Sequence, residues 1–161
     1  MINLEGYIEE GDYLELVINA IIIHEGWFPA NPKTGYKGSR SFRNNNPGNL
    51  RTSKFQNGSD GEYAKFETKE KGRAALRWDL TQKAMGETVT GLTGESTIED
   101  LINVYAPASD KNNTEAYIES IENQTGLKRT IKLKDLLLKR DQEIGEKNEE
   151  KDEDESLQCH P

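Results

Sequence analysis

Glu25 is an acid at the end of a greasy helix face, a position that suits a proton donor. The stretch DYLELVINAIIIHEG, residues 12 to 26, places Leu14, Ile18, Ile21 and Ile22 at the i, i+4, i+7, i+8 spacing of a core-facing stripe. Glu25 follows Leu14 by eleven residues, which at roughly 100° per residue sets it about 20° from Leu14 around the helix. Burial without a cationic partner disfavours the charged form of a carboxyl group and raises its pKa. Such an acid can hand over a proton near neutral pH. Two plainer arrangements stay open at this level: a side chain bent back to solvent, or one braced by an arginine. Arg73 is the natural brace, and a guanidinium on Glu25 would remove the raised pKa altogether.

Other chemistries lack their residues. HEG at 24 to 26 is followed by Trp27 and Phe28, so the second histidine of an H-E-x-x-H zinc helix is missing. GETVTGL lacks the lysine of a phosphate-binding loop, and no G-x-S-x-G elbow occurs. A Ser–His–Asp triad would have to use His24 or His160, the two histidines of the chain. Cys159 is the single cysteine, so it makes no intramolecular disulfide, and with His160 it is too small a set for zinc. No metal and no cofactor are expected. What remains is one acid followed by an asparagine-rich loop. That layout suits cleavage of a glycosidic bond, where the leaving oxygen needs a proton and amides can hold hydroxyl and acetamido groups.

The elements that must position Glu25 can be read in order. Asp12 and Glu15 open the first helix in the manner of a capping box, and Gly26 stops it. Residues 27 to 48 are dense in Gly, Pro, Asn and Ser, as in an ordered loop pinned by aromatics. Residues 49 to 66 form a small hairpin or meander, NLRTSKF and GEYAKF, with NGSDG as its turn. Thr68 opens a helix carrying Ala75, Leu76 and Leu80, and Ser96 with Glu99 caps a short one that Pro107 ends. Asn112 with Glu115 opens another, through Tyr117, Ile118 and Ile121 to Gly126, and a last helix spans 132 to 142. The expected class is α+β: a mainly helical domain with one small antiparallel hairpin.

Three segments carry a family resemblance. FRNNNPGNLR at 42 to 51 resembles the asparagine-rich segment of phage-encoded peptidoglycan-degrading proteins in the lysozyme-like superfamily, of lytic transglycosylase or muramidase type. FETKEKGRAAL at 66 to 76 and YAPASDKNNTEAYI at 105 to 118 are similar to two later elements of that family, in the same order. The resemblance implies a lysozyme-like fold with a glycan cleft between a helical lobe and a small β-hairpin lobe. It further implies cleavage of the β-1,4 link between N-acetylmuramic acid and N-acetylglucosamine. The family's acid falls on Glu25, its cleft asparagines on Asn46 and Asn49, and its later aromatic positions on Tyr105 and Tyr117 as substrate contacts. Asn44 to Asn46 could equally be turn chemistry, and the two tyrosines core aromatics. One departure stands out: residues 26 to 59 contain no Asp or Glu, so a second carboxylate must come from Asp60, Glu62 or Glu67 or be absent. A single acid suggests the transglycosylase route, ending in a 1,6-anhydro sugar, while simple hydrolysis stays open.

Composition bounds the rest. At 161 residues with net charge −8, the acidity is concentrated in residues 141 to 161, which hold nine acidic groups and two lysines. Residues 1 to 144 are expected to be the lysozyme-like catalytic domain and residues 145 to 161 a disordered acidic tail. No basic stripe marks a nucleic-acid partner, no apolar run reaches membrane-spanning length, and the N-terminus has no signal-peptide pattern. The resemblance implies peptidoglycan glycan strands as the partner, with other virion proteins where the chain sits in a particle. It implies a phage virion or infected bacterial cell as the location, with the cell wall as target. A non-catalytic virion or glycan-binding protein that keeps the cleft is the alternative. A glucosaminidase- or chitinase-like hydrolase is a weaker third.

Overall fold

The computed structural model describes residues 12 to 138 and residue 141. The acidic tail, Cys159, His160 and the end of the expected last helix lie outside the described residues. Five α-helices and one two-stranded sheet are present among those residues: α1 Tyr13–His24, α2 Arg40–Arg43, β1 Gly58–Ser59, β2 Ala64–Lys65, α3 Lys69–Ala84, α4 Ile98–Tyr105 and α5 Thr114–Thr125. This is a mixed α+β architecture with helices dominant.

Helix α1 is the spine of the core. Leu14, Val17, Ile18 and Ile21 are all within 1 % of full burial, and α1 packs chiefly against α5 and also against α3. Each such side chain stabilises the fold by about 1.5–3 kcal/mol relative to exposure. Asp12 caps α1 by accepting from the Glu15 amide at 3.3 Å. Glu15 itself does not close a capping box; its carboxylate goes to Arg73 and Arg77 on α3. Gly26, at φ +80°, takes the left-handed conformation that ends the helix.

The loop after α1 is ordered, but it holds α2, whose four residues are too few for a visible period. Ser39 caps it, and Trp27 meets the Phe42 ring edge-on at 5.3 Å. The hairpin is shorter than its sequence suggests and its turn is displaced. Gly58 and Ser59 pair with Lys65 and Ala64, so the turn is Asp60 to Tyr63 rather than NGSDG. The cause is Asp60: its Oδ1 accepts from the amides of Glu62 and Tyr63, while the Arg40 guanidinium grips both its oxygens.

Two caps sit one residue later than the sequence suggests. Thr97 and Asp100, not Ser96 and Glu99, form the capping box of α4, and Asn113 rather than Asn112 caps α5. The first part of the expected last helix, residues 132 to 138, is not α-helical. Residues 133 to 136 make one 3₁₀ turn, because the chain just before it is tied in extended form to the start of α4. The amides of Ile98 and Glu99 donate to the carbonyls of Ile131 and Arg129, and Leu133 donates back to Ser96. Those bonds satisfy α4's first unpaired donors, a gain a continuous helix would forfeit.

The loop and α3 touch where no side chain fits. A Cβ on Gly72 would lie 1.9 Å from the Asn45 carbonyl oxygen. Gly72→Ala is therefore expected to lower the unfolding free energy by about 1–3 kcal/mol, the usual cost of overpacking. Denaturant unfolding checks this, and an unchanged midpoint would contradict the close approach.

Candidate functional site

Glu25 is the C-terminal cap residue of α1, its amide donating to the Ile21 carbonyl at 2.8 Å. Its side chain is half-buried and lines a polar groove of about 460 Å³, with Asn49, Asp79, Lys83, Tyr105 and Asp110 among the other lining groups. Burial pushes its pKa up to about 7, with the Asn49 amide offsetting part of the rise. The negative end of the helix dipole at this position also disfavours the anion. Arg73 does not brace it: that guanidinium is held by Glu15 and by Asn19. His24 is no cation beside it either, since partial burial lowers the imidazole's pKa below its ordinary 6.5. That ring stacks on Tyr117, with centroids 3.7 Å apart.

The asparagine-rich loop divides into braces and one groove residue. Asn44 donates to Asp60, and Asn45 to the carbonyls of Phe66 and Glu67. Asn46 is fully buried; its amide donates to the carbonyls of Leu50 and Ala64, and its oxygen accepts from the Leu50 amide. With every polar atom engaged, Asn46 holds the hairpin to the loop, and it has nothing to offer a ligand. Asn49 is different. It sits at φ +49°, donates to the Glu25 main-chain carbonyl at 3.4 Å, and leaves its own Oδ1 buried and without a partner. An orphaned acceptor beside a protonated acid is a ready contact for a ligand N–H or O–H.

The two tyrosines also part company. Tyr105 lines the groove and donates its hydroxyl to the Gly48 carbonyl, fixing the floor to the loop. Tyr117 is 2 % exposed and lies beneath, its hydroxyl without a partner, so it backs the site instead of lining it. Burial holds both phenols protonated, well above the ordinary range, and the nearby Glu25 charge adds to this in each case.

The hairpin carboxylates are all committed elsewhere. Arg40 drives Asp60 far below the usual carboxylate range, Glu62 pairs with Arg40 and Arg51, and Glu67 is held down by Lys71. Two acids do share the groove with Glu25: the exposed Asp110, and Asp79 on α3, which is paired with Lys83 at 2.5 Å. The sequence held a signal for it. Lys83 follows Leu76 and Leu80 by seven and three residues, which puts a charge on the buried face of a helix. It is 9 % exposed, a rare state for an unpaired lysine and an ordinary one for a paired lysine.

A larger hollow of about 1030 Å³ opens near the other end of α1, between Glu15, Phe55, Trp78 and Arg77. Its acids, Asp12, Glu15 and Asp141, are salt-bridged to Arg77. That leaves its acids held as ion pairs, whereas the Glu25 carboxyl in the groove has its pKa raised by burial. Among the described residues no group of three or more His, Cys, Asp or Glu could hold a metal ion, and no helix is long and apolar enough to cross a membrane.

Because Glu25 keeps its proton up to about 7 when folded and loses it near 4.5 when unfolded, the native state binds the extra proton between those values. Stability from this group is therefore present at low pH and falls as pH rises through that window. Wild type minus Glu25→Gln should show a decline on the order of 2–3 kcal/mol from pH 4.5 to 7.5. Unfolding curves across that range measure it, and a difference that stays flat or rises would contradict the burial of this carboxyl.

No protein-family model, no curated protein and no solved structure matches the chain, so the site is read from its own chemistry.

Proposed function

We propose that the chain cleaves the β-1,4 glycosidic bond between N-acetylmuramic acid and N-acetylglucosamine in bacterial peptidoglycan. In this proposal the fold is lysozyme-like, the groove is the glycan cleft, and Glu25 is the general acid. The protein would act on the cell wall as a phage-encoded lytic enzyme, from the virion or from within the infected cell. The observation that carries this is the Glu25 carboxyl group, desolvated to a pKa of about 7 and lining an open polar groove. A glycosidic oxygen is a poor leaving group until it is protonated, and an acid of this strength can do so near neutral pH.

Support for sugar as the ligand comes from the groove walls. The unpartnered Asn49 oxygen suits a hydroxyl or acetamido N–H. The Tyr105 ring offers a flat apolar surface against which a pyranose face can lie. Asn112, Thr52 and Asp110 add polar atoms along the groove's length. Asn46 and Tyr117 take supporting roles, the first by bracing the loop and the second by packing beneath Glu25.

Digestion of purified peptidoglycan, with the soluble fragments analysed by mass spectrometry, tests the proposal. Wild type should release muropeptides, and Glu25→Gln should lower the release by about 100-fold or more with the melting temperature near that of wild type. The rate should fall as pH rises through about 7, where the acid loses its proton. Tight retention on the insoluble wall without release would instead favour a glycan-binding protein. Equal release by Glu25→Gln would remove this acid from the mechanism.

A further inference from the structure

Three features of the molecule lie outside the role of Glu25. These are the Asp79–Lys83 pair in the groove, the aromatic hollow around Trp78 and Phe55, and the Glu95 carboxylate clamped by Lys132 and Lys134. In the hollow, Lys54 lies 4.3 Å over Trp78 and its acids are salt-bridged, so nothing marks what would fill it. The Glu95 cluster is an exposed fold tie between the α4 entry and the 3₁₀ turn.

Resting on the reading of the groove as a glycan cleft, we propose that Asp79 is its second catalytic carboxylate: the base that activates water, making the enzyme an inverting hydrolase. Four observations converge on it. Asp79 and Glu25 line the same groove, and the charges of both act on the Tyr105 hydroxyl. The two carboxyls therefore share the surroundings of one aromatic side chain. The Asp60, Glu62 and Glu67 carboxylates do not line the groove, and Asp110, which does, is not among the charges that act on the Tyr105 hydroxyl. Lys83 reaches Asp79 from one helical turn away and is almost fully buried, 5.4 Å from the Tyr105 ring. An ammonium fixed there orients one carboxylate oxygen and leaves the other for the groove. The side chain of Asp79 retains 27 % of its exposure, so water can reach it.

The step balances with what the groove holds. A water oxygen bonds to the anomeric carbon as that carbon's bond to the leaving oxygen breaks, its electron pair staying on the oxygen. Glu25 gives its proton to the leaving oxygen, and Asp79 takes one from the attacking water. The two carboxyls then exchange protons with solvent. One displacement inverts the anomeric centre, so a β-linked strand gives an α-configured reducing end. Lys83 is a positioning residue. With its charge cancelled by Asp79, it also leaves the proton on Glu25 undisturbed.

The full chain should be incubated with purified peptidoglycan in ¹⁸O-water and the fragments analysed by mass spectrometry and NMR. Wild type is expected to give reducing ends that carry one ¹⁸O and are first formed in the α configuration. Asp79→Ala should lose about 100-fold or more of this release, and sodium azide should restore it as an α-glycosyl azide, because azide attacks without a base. A residue that only shapes the fold would show no such rescue. Since Asp79→Ala leaves Lys83 unpaired, the double variant Asp79→Ala/Lys83→Met is assayed in parallel and should show the same azide rescue. Unlabelled 1,6-anhydro ends from wild type, or labelled release at the wild-type rate from both variants, would overturn the role of Asp79 while leaving Glu25 as the acid. No release from wild type at all would overturn the cleavage reading itself, and this inference with it.

Discussion

Removing the Glu25 carboxyl from water without giving it a cation is the constraint on which the site depends. Desolvation alone sets its acidity near neutrality, and a single guanidinium within reach would undo it. The molecule keeps its arginines occupied elsewhere. Arg73 and Arg77 knit α3 to the start of α1 through Glu15, Arg40 locks the hairpin through Asp60, and Arg129 ties the following segment back to α5 through Glu115 and Glu122. At the opposite end of α1, roughly 15 Å from Glu15 by helical rise, Glu25 lies beside Asn49 and neutral tyrosines, and the Lys83 of its groove is paired with Asp79. The same helix thus anchors the fold at one end with charge and presents chemistry at the other without it.

The asparagine-rich loop makes this separation possible. Three consecutive amides fasten it to the hairpin and to the start of the α3 segment, and Gly72 lets α3 approach the Asn45 carbonyl closely. Only after those ties does Asn49 turn, in a left-handed conformation, over the end of α1. Its amide reaches the Glu25 backbone while its oxygen lies buried and without a partner. The loop's ties and the placement of Asn49 at the groove have the same origin.

Much of this was legible from residue types alone, because the signals were local. The apolar stripe of α1, its stop at Gly26 and the position of Glu25 follow from helical spacing. What stayed hidden depended on partners distant in sequence. Asn46 and Asn49 look alike in RNNNPGNLR, yet one is enclosed by Leu50 and Ala64 and the other faces the groove. The segment at 132 to 137 has helical spacing of leucines, but main-chain bonds to the entry of α4 hold it extended before its single 3₁₀ turn. The cap of α4 slipped by one because Thr97 and Asp100 can form the same reciprocal box as Ser96 and Glu99, and sequence offers no way to choose. Asp79 escaped notice for a related reason. Its meaning lies in the groove it shares with a residue 54 positions earlier, and an i, i+4 Asp–Lys pair on a helix ordinarily signals a solvated surface.

The ionisation of one side chain decides whether this arrangement is functional in the sense described. Carbon-13 NMR of the Glu25 side-chain carboxyl, assigned by comparison with Glu25→Gln and followed from pH 3 to 9, measures it directly. A midpoint near 7 is the expected result. A midpoint at the ordinary value near 4.5 would mean that water or a cation reaches the carboxylate, and the proton donor at the centre of the site would not exist.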